Sequence, residues 1–129
     1  MLEEDVHLYF KAIAASPYML FVAESIDNKK TPAVVHVDGT ARIQTVNKNL
    51  HPKFYRLISE YKKLTGCSML INTSFNQRGE PLVCSPEDAY KAFIRMGLDF
   101  LVINNFVFDY RFQPLEHLSD IQFYNPGAD

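Results

Sequence analysis

The feature that most constrains this chain is an abrupt change of chemistry between residues 71 and 72. Met69, Leu70 and Ile71 form a short apolar run with the character of a buried strand. It breaks directly into Asn72, Thr73 and Ser74, three small side chains that offer hydrogen bonds but no charge. Polar groups at the end of a buried strand sit at the crest of an α/β sheet, where such sheets bind ligands. The loop beyond carries a cation, Arg78, and a flexible Gly79 before Glu80-Pro81-Leu82-Val83. The competing reading is a strand that simply ends in an Asn/Ser-rich turn.

Composition narrows what such a crest can serve. With 129 residues the chain has the size of one domain and can bury a real core. Its hydrophobic fraction of 47% and charged fraction of 22% are those of an ordinary globular protein. A net charge of −2 supplies no basic field for nucleic acid or an anionic membrane. No apolar run approaches the roughly 20 residues that span a bilayer. The acidic start, Leu2-Glu3-Glu4-Asp5, is wrong for a secretory signal. Two cysteines, Cys67 and Cys84, fit a reducing compartment better than a disulfide framework, so a cytoplasmic location is expected.

Periodicity then orders the rest. Leu2, Val6, Tyr9, Phe10 and Ile13 recur at helical spacing, which predicts a helix over 2–15, stopped by Pro17. Residues 18–23 read as an apolar strand. Val34, Val35 and Val37 suggest extended chain, and Asp38-Gly39 is a strong turn signal. After the turn, Ala41, Ile43 and Thr45 alternate with Arg42 and Gln44, which places those two on one side of a strand. Its guanidinium fork suits Arg42 to a planar or tetrahedral oxyanion; the alternative is a solvated edge strand. A helix is expected from Pro52 to about Thr65, with an apolar stripe of Phe54, Leu57, Ile58, Tyr61 and Leu64 and a stop at Gly66. Ser85-Pro86-Glu87-Asp88 is a helix start and Gly97 its end. Strands are expected over 98–103 and 106–112, turning at Asn104-Asn105. The fold class that follows is α/β, a twisted mixed sheet covered by helices over residues 1–112, with an irregular tail at 113–129.

Little else carries chemistry. His7, His36, His51 and His117 lack metal-ligand spacing. His36 stands out because it leads into Asp38 and Arg42, although a satisfied structural role is open to it. Cys84 sits just before a helix N-cap, a kind of position that can lower a thiol pKa. A nucleophile built on it needs His36 within hydrogen-bond reach, and nothing in the sequence brings the two together.

Five blocks occur in an order that is more specific than any one of them. They are His36-Val37-Asp38-Gly39-Thr40-Ala41-Arg42-Ile43-Gln44, Thr65-Gly66, Leu70-Ile71-Asn72-Thr73-Ser74-Phe75-Asn76, Gly79-Glu80-Pro81 and Pro86-Glu87-Asp88-Ala89. Together they resemble the C-terminal domain of the O-carbamoyltransferases, the family of nodulation-factor and antibiotic carbamoylation enzymes, from about Leu2 to Val107. The resemblance implies a YrdC-like fold in which carbamoyl phosphate and ATP, with magnesium, become carbamoyl adenylate. It implies that Arg42, Asn72 and Ser74 line the carbamoyl phosphate and nucleotide site, with Thr73, Gln44 and His36 beside them. A larger N-terminal domain, which binds iron and transfers the carbamoyl group to an acceptor hydroxyl, is expected as a partner.

The blocks begin just downstream of a basic segment that the family places before this region, so an N-terminally truncated fragment is expected. On that expectation 129 residues alone do not complete turnover. The second class of function is a non-catalytic module of the same fold that docks on a separate larger subunit or binds a nucleotide weakly. Truncation also exposes apolar surface, which makes a homo-oligomer one expected outcome. The acceptor is not readable here.

Overall fold

The structure, a computed structural model, describes residues 1–11 and 15–114. It holds β1 (Phe10–Lys11), β2 (Val22–Ser25), β3 (Thr40–Arg42), α1 (Pro52–Thr65), α2 (Pro86–Met96), β4 (Phe100–Ile103) and β5 (Phe106–Asp109). Two short 3₁₀ helices, Glu3–Leu8 and Tyr110–Phe112, complete it. Helices and strands are mixed along the chain, so the class is α/β. The described strands form two antiparallel sheets, β1-β2-β3 and β4-β5. The chain divides into two compact units, Met1–Asn72 and Thr73–Asp129. Among the described residues no helix is long and apolar enough to cross a membrane.

In the first unit β2 pairs antiparallel with β1 (Phe10 opposite Ser25) and with β3 (Ala23 opposite Ala41, Val22 opposite Arg42). Ala23, Phe10, Ala41 and Ile43 point inward and join Met1 and Val6 in the core. The N-terminal residues run parallel to the chain at Val46: Val46 N–H donates to Met1 O (2.8 Å) and Glu3 N–H to Val46 O (3.2 Å). On its other side, Leu2 N–H donates to Ser68 O at 3.0 Å. A second cluster, Leu2, Val46 and Ile58, seats α1.

Four expectations change here. The helix over 2–15 is a six-residue 3₁₀ turn that ends at Tyr9, and Phe10 enters the sheet; residues 12–14, with Ile13, lie outside the described residues. Phe10 is 2% exposed, and burying such a ring yields about 2–3 kcal/mol against the few tenths per residue of helix propensity. The strand over 18–23 begins only at Val22, because Met19 takes a left-handed φ of 56° that interrupts extended chain. Residues 34–37 are loop rather than strand, with Val37 fully exposed. Met69–Ile71 runs without a sheet ladder, and Ile71 is exposed.

Helix α1 has the expected bounds, with Gly66 in the left-handed conformation (φ 75°) at its C-cap. Its stripe is only half used: Ile58 is fully buried, while Phe54, Leu57 and Leu64 face outward. Asp5, on the first 3₁₀ helix, accepts from Lys62 Nζ of α1 at 2.7 Å. Burial pushes the Asp5 carboxyl up, but the hydrogen bond from Lys62 and the Lys62 charge outweigh it and hold it below the usual range.

The second unit packs α2 on the β4-β5 hairpin through Ala89, Phe93, Ile94 and Leu101. Ser85 caps α2: its hydroxyl accepts from Asp88 N–H (3.0 Å), and Ser85 N–H donates to Asp88 Oδ2 (3.1 Å). Asn104, at φ 54°, turns the hairpin between Ile103 and Phe106. Strand β5 stops at Asp109, and residues 110–112, expected as strand, form the second 3₁₀ turn. Of the tail, residues 115–129 lie outside the described residues.

Replacing Ser85 with Ala removes one half of the capping box and lowers stability by about 1 kcal/mol, read as a lower urea midpoint. The Asp5–Lys62 pair has a pH signature. A carboxyl depressed in the folded state stabilises above its unfolded value and loses that contribution as pH falls through the folded one. Lys62→Ala therefore lowers the urea midpoint at pH 7 and has a much smaller effect at pH 2.5, where the Asp5 carboxyl is losing its charge.

Candidate functional site

The outward face of the 40–46 segment carries the site. With Ala41, Ile43 and Thr45 buried, strand alternation turns Arg42 and Gln44 the other way. Arg42 is exposed and makes no hydrogen bond or ion pair with a described residue. An unpaired guanidinium on a strand keeps its whole donor fork for a ligand.

Gln44 and Asn72, 28 residues apart, form an amide relay. Gln44 Nε2 donates to Pro17 O at 2.9 Å, and Gln44 Oε1 accepts from Asn72 Nδ2 at 2.8 Å. A backbone carbonyl only accepts, so the Pro17 oxygen fixes the orientation of Gln44, and Gln44 in turn fixes Asn72. The Asn72 carboxamide oxygen has no partner among the described residues. The relay thus aims an open acceptor outward from the unit that presents Arg42. Met19 Sδ lies 3.6 Å from Asn72 Nδ2 and closes that side. Pro17 and Met19 were missed as site residues by sequence reasoning, which used them only as a helix stop and a strand residue. A backbone acceptor and a left-handed methionine leave no local signal.

His36 belongs to a different network. Its Nδ1 lies 3.3 Å from Thr40 Oγ1, and that hydroxyl donates to Asp38 Oδ1 at 2.6 Å. Thr40 N–H donates to the same oxygen at 3.0 Å. The two Thr40 bonds, helped by the His36 charge, hold the Asp38 carboxyl below its ordinary range. This Asx-type lock shapes the turn at Gly39 (φ 81°) that leads into β3. His36 therefore lies in the network of the turn and has no side-chain contact with Arg42, Gln44 or Asn72 among the described residues.

Thr73 and Ser74 open the second unit, exposed and with no side-chain hydrogen bond to a described residue. The loop after them is tied within that unit by side-chain hydrogen bonds. Asn76 Nδ2 donates to Gln77 O and Glu80 O, and Arg95 grips Glu80 through two bonds of 2.8 and 3.2 Å. Glu80 and Arg95 pair across 15 residues, a contact that motif reading does not reveal. Cys84 Sγ donates toward Asp88 Oδ2 at 3.5 Å, so the partner of this thiol is an anion and not the imidazole a cysteine nucleophile needs.

Among the described residues no group of three or more His, Cys, Asp or Glu is arranged to hold a metal ion. The donors around Arg42 are amides and a guanidinium, which do not form a protein cage for magnesium or iron.

The sequence profile of the carbamoyltransferase C-terminus matches residues 1–110. The chain belongs to that family. This carbamoyltransferase C-terminal chain is 42% identical over 136 aligned positions to an uncharacterized protein of Synechocystis, covering 88% of this chain and 22% of that one. It is 39% identical over 112 to the nodulation protein NolNO of Sinorhizobium fredii, covering 83% and 16%. It is 32% identical over 102 to a 3'-hydroxymethylcephem-O-carbamoyltransferase of Amycolatopsis lactamdurans, covering 79% and 20%. The carbamoyltransferase C-terminal chain thus spans between 16% and 22% of these relatives' lengths.

The Thr40 lock is testable by itself. In Thr40→Val the Asp38 carboxyl loses its two-bond clasp in part, and its titration midpoint moves upward in carbonyl-detected NMR. An unmoved midpoint contradicts the assignment.

Proposed function

We propose that this chain supplies part of an ATP-dependent O-carbamoyltransferase, and that its Arg42 face takes part in converting carbamoyl phosphate and ATP to carbamoyl adenylate. The observation that carries the reading is Arg42 itself: a cation without a described partner, on the strand face that also bears the Gln44–Asn72 relay. Carbamoyl phosphate joins a phosphate dianion to a planar amide. A guanidinium fork matches the first through two charge-assisted hydrogen bonds. The open carboxamide oxygen of Asn72 matches the carbamoyl N–H₂ as an acceptor held in place before the ligand arrives. Family membership supports the carbamoyl chemistry, and the name of the cephem-modifying relative states it for that protein. Thr73 and Ser74, next after Asn72 in the sequence, carry hydroxyls of the kind that suits phosphate oxygens. Magnesium, in this reading, travels with the nucleotide phosphates.

A second reading keeps the fold without turnover: a module that docks on a larger subunit carrying the remaining chemistry. The outward apolar residues of α1, Phe54, Leu57 and Leu64, favour a covering partner of that kind. Acceptor choice belongs to that larger part in either reading.

Calorimetric titration with carbamoyl phosphate separates the two. Binding by the parent chain and a loss of about 100-fold in Arg42→Ala, with an unchanged circular dichroism spectrum, is the expected result. Equal binding by parent and variant overturns the role of Arg42.

A further inference from the structure

Helix α1 carries an apolar face that the first unit does not use. Phe54, Leu57, Tyr61 and Leu64 follow one another in steps of three and four, and Leu50, just before the helix, continues the series. Such steps keep the residues in single file along a helix. All of them are exposed, although Ile58 on the neighbouring row is fully buried with Leu2 and Val46. Scattered apolar residues are ordinary on a surface, whereas a continuous file of them marks a contact. The file also has relief. Leu50, Leu57 and Leu64 stand out at 65%, 56% and 86% exposure, and between them the Phe54 and Tyr61 rings lie lower, at 43% and 38%. Alternating knobs and hollows receive the side chains of another helix.

A row of charges runs beside the file, each residue one position before a member of it: Lys53, Arg56, Glu60 and Lys63. Lys63 Nζ pairs with Glu60 Oε1 at 2.8 Å, so those two cancel. Lys53 and Arg56 are exposed and make no ion pair with a described residue. The opposite border of the file belongs to the body of the unit, through Ile58 and the Lys62–Asp5 pair. The uncancelled charge at this face is positive and lies along one side.

We infer that the outer face of α1 docks a partner helix that has an apolar seam and acidic residues along one flank. The spacing of the file selects a helix, and the two unpaired cations select its charge. A second copy of this chain would bring the same cations to the contact and no acid to meet them. A bilayer is a poor match for a file one residue wide, since interfacial helices insert a broad apolar face. This rests on the docking-module reading for there being a partner, and adds the partner's chemistry.

Two synthetic helical peptides, with the same leucine seam and either glutamates or lysines on its flanks, are titrated with the full chain by fluorescence anisotropy. The acidic peptide binds about tenfold or more tightly than the basic one, and added salt narrows the gap. Leu57→Ser combined with Leu64→Ser, both at exposed positions, abolishes that binding while the circular dichroism spectrum stays that of the parent. Lys53→Glu combined with Arg56→Glu turns the preference round toward the basic peptide. Equal binding of the two peptides, lost in the serine variant, overturns the acidic partner and leaves docking on α1 standing. Binding that the serine variant keeps overturns both. Failure of either peptide to bind also overturns the inference, and sedimentation of the chain with anionic phospholipid vesicles, or its self-association, would then name a different occupant.

Discussion

Everything in the first unit depends on the alternation of the segment after Gly39. Ala41, Ile43 and Thr45 are each nearly fully buried; Ala41 and Ile43 pack against Phe10, Ala23 and Met1, and Thr45 bonds to Ser16. Once that face is committed, the pleat leaves Arg42 and Gln44 nowhere to go but outward. A slip of one residue would bury a guanidinium without a counter-charge, at a cost of several kcal/mol. The core therefore positions the cation. Its stability against mispositioning comes from the penalty for the alternative, not from any bond that Arg42 makes.

Chemistry is then added by connections distant in sequence. Pro17, at the foot of the chain entering β2, orients Gln44; Gln44 orients Asn72; and Asn72 ends the unit with a free acceptor. Each link is an uncharged hydrogen bond of modest net value, about 1 kcal/mol. Their worth lies in direction: a carboxamide that rotates freely presents donor and acceptor equally, whereas this one presents oxygen. The Thr40–Asp38 clasp does similar work on the backbone by locking the turn that sets where β3 begins. The unit thus carries a fixed amide acceptor at Asn72 and an exposed guanidinium at Arg42, the two features on which the proposed site rests.

Much of this was legible in the sequence where a local rule decides the outcome. The bounds of α1 followed from Pro52 and Gly66, the start of α2 from Ser85 and Asp88, and the hairpin from Asn104-Asn105. The outward pair Arg42 and Gln44 followed from period-two alternation. The failures share one cause, which is that tertiary context outweighed local pattern. Leu2, Val6, Tyr9 and Phe10 do recur at helical spacing, yet Phe10 gains more in the sheet. The run at 18–23 is apolar, yet Met19 breaks it. Met69–Ile71 has strand composition, but a ladder needs a partner that composition does not reveal. The contacts between Gln44 and Asn72 and between Glu80 and Arg95 span 28 and 15 residues, beyond any motif.

The most direct test of the central claim, that Arg42 and the amide relay form one anion-and-amide site, is a two-dimensional NMR titration of the labelled chain with carbamoyl phosphate. It would follow the Arg42 side-chain Nε–H and the Gln44 and Asn72 side-chain amides. The account predicts that these three signals shift together along one saturable curve, while the Cys84 and Arg111 amides of the second unit stay in place. Shifts that leave Arg42 and Asn72 unmoved, or that follow different curves for the two, would contradict it.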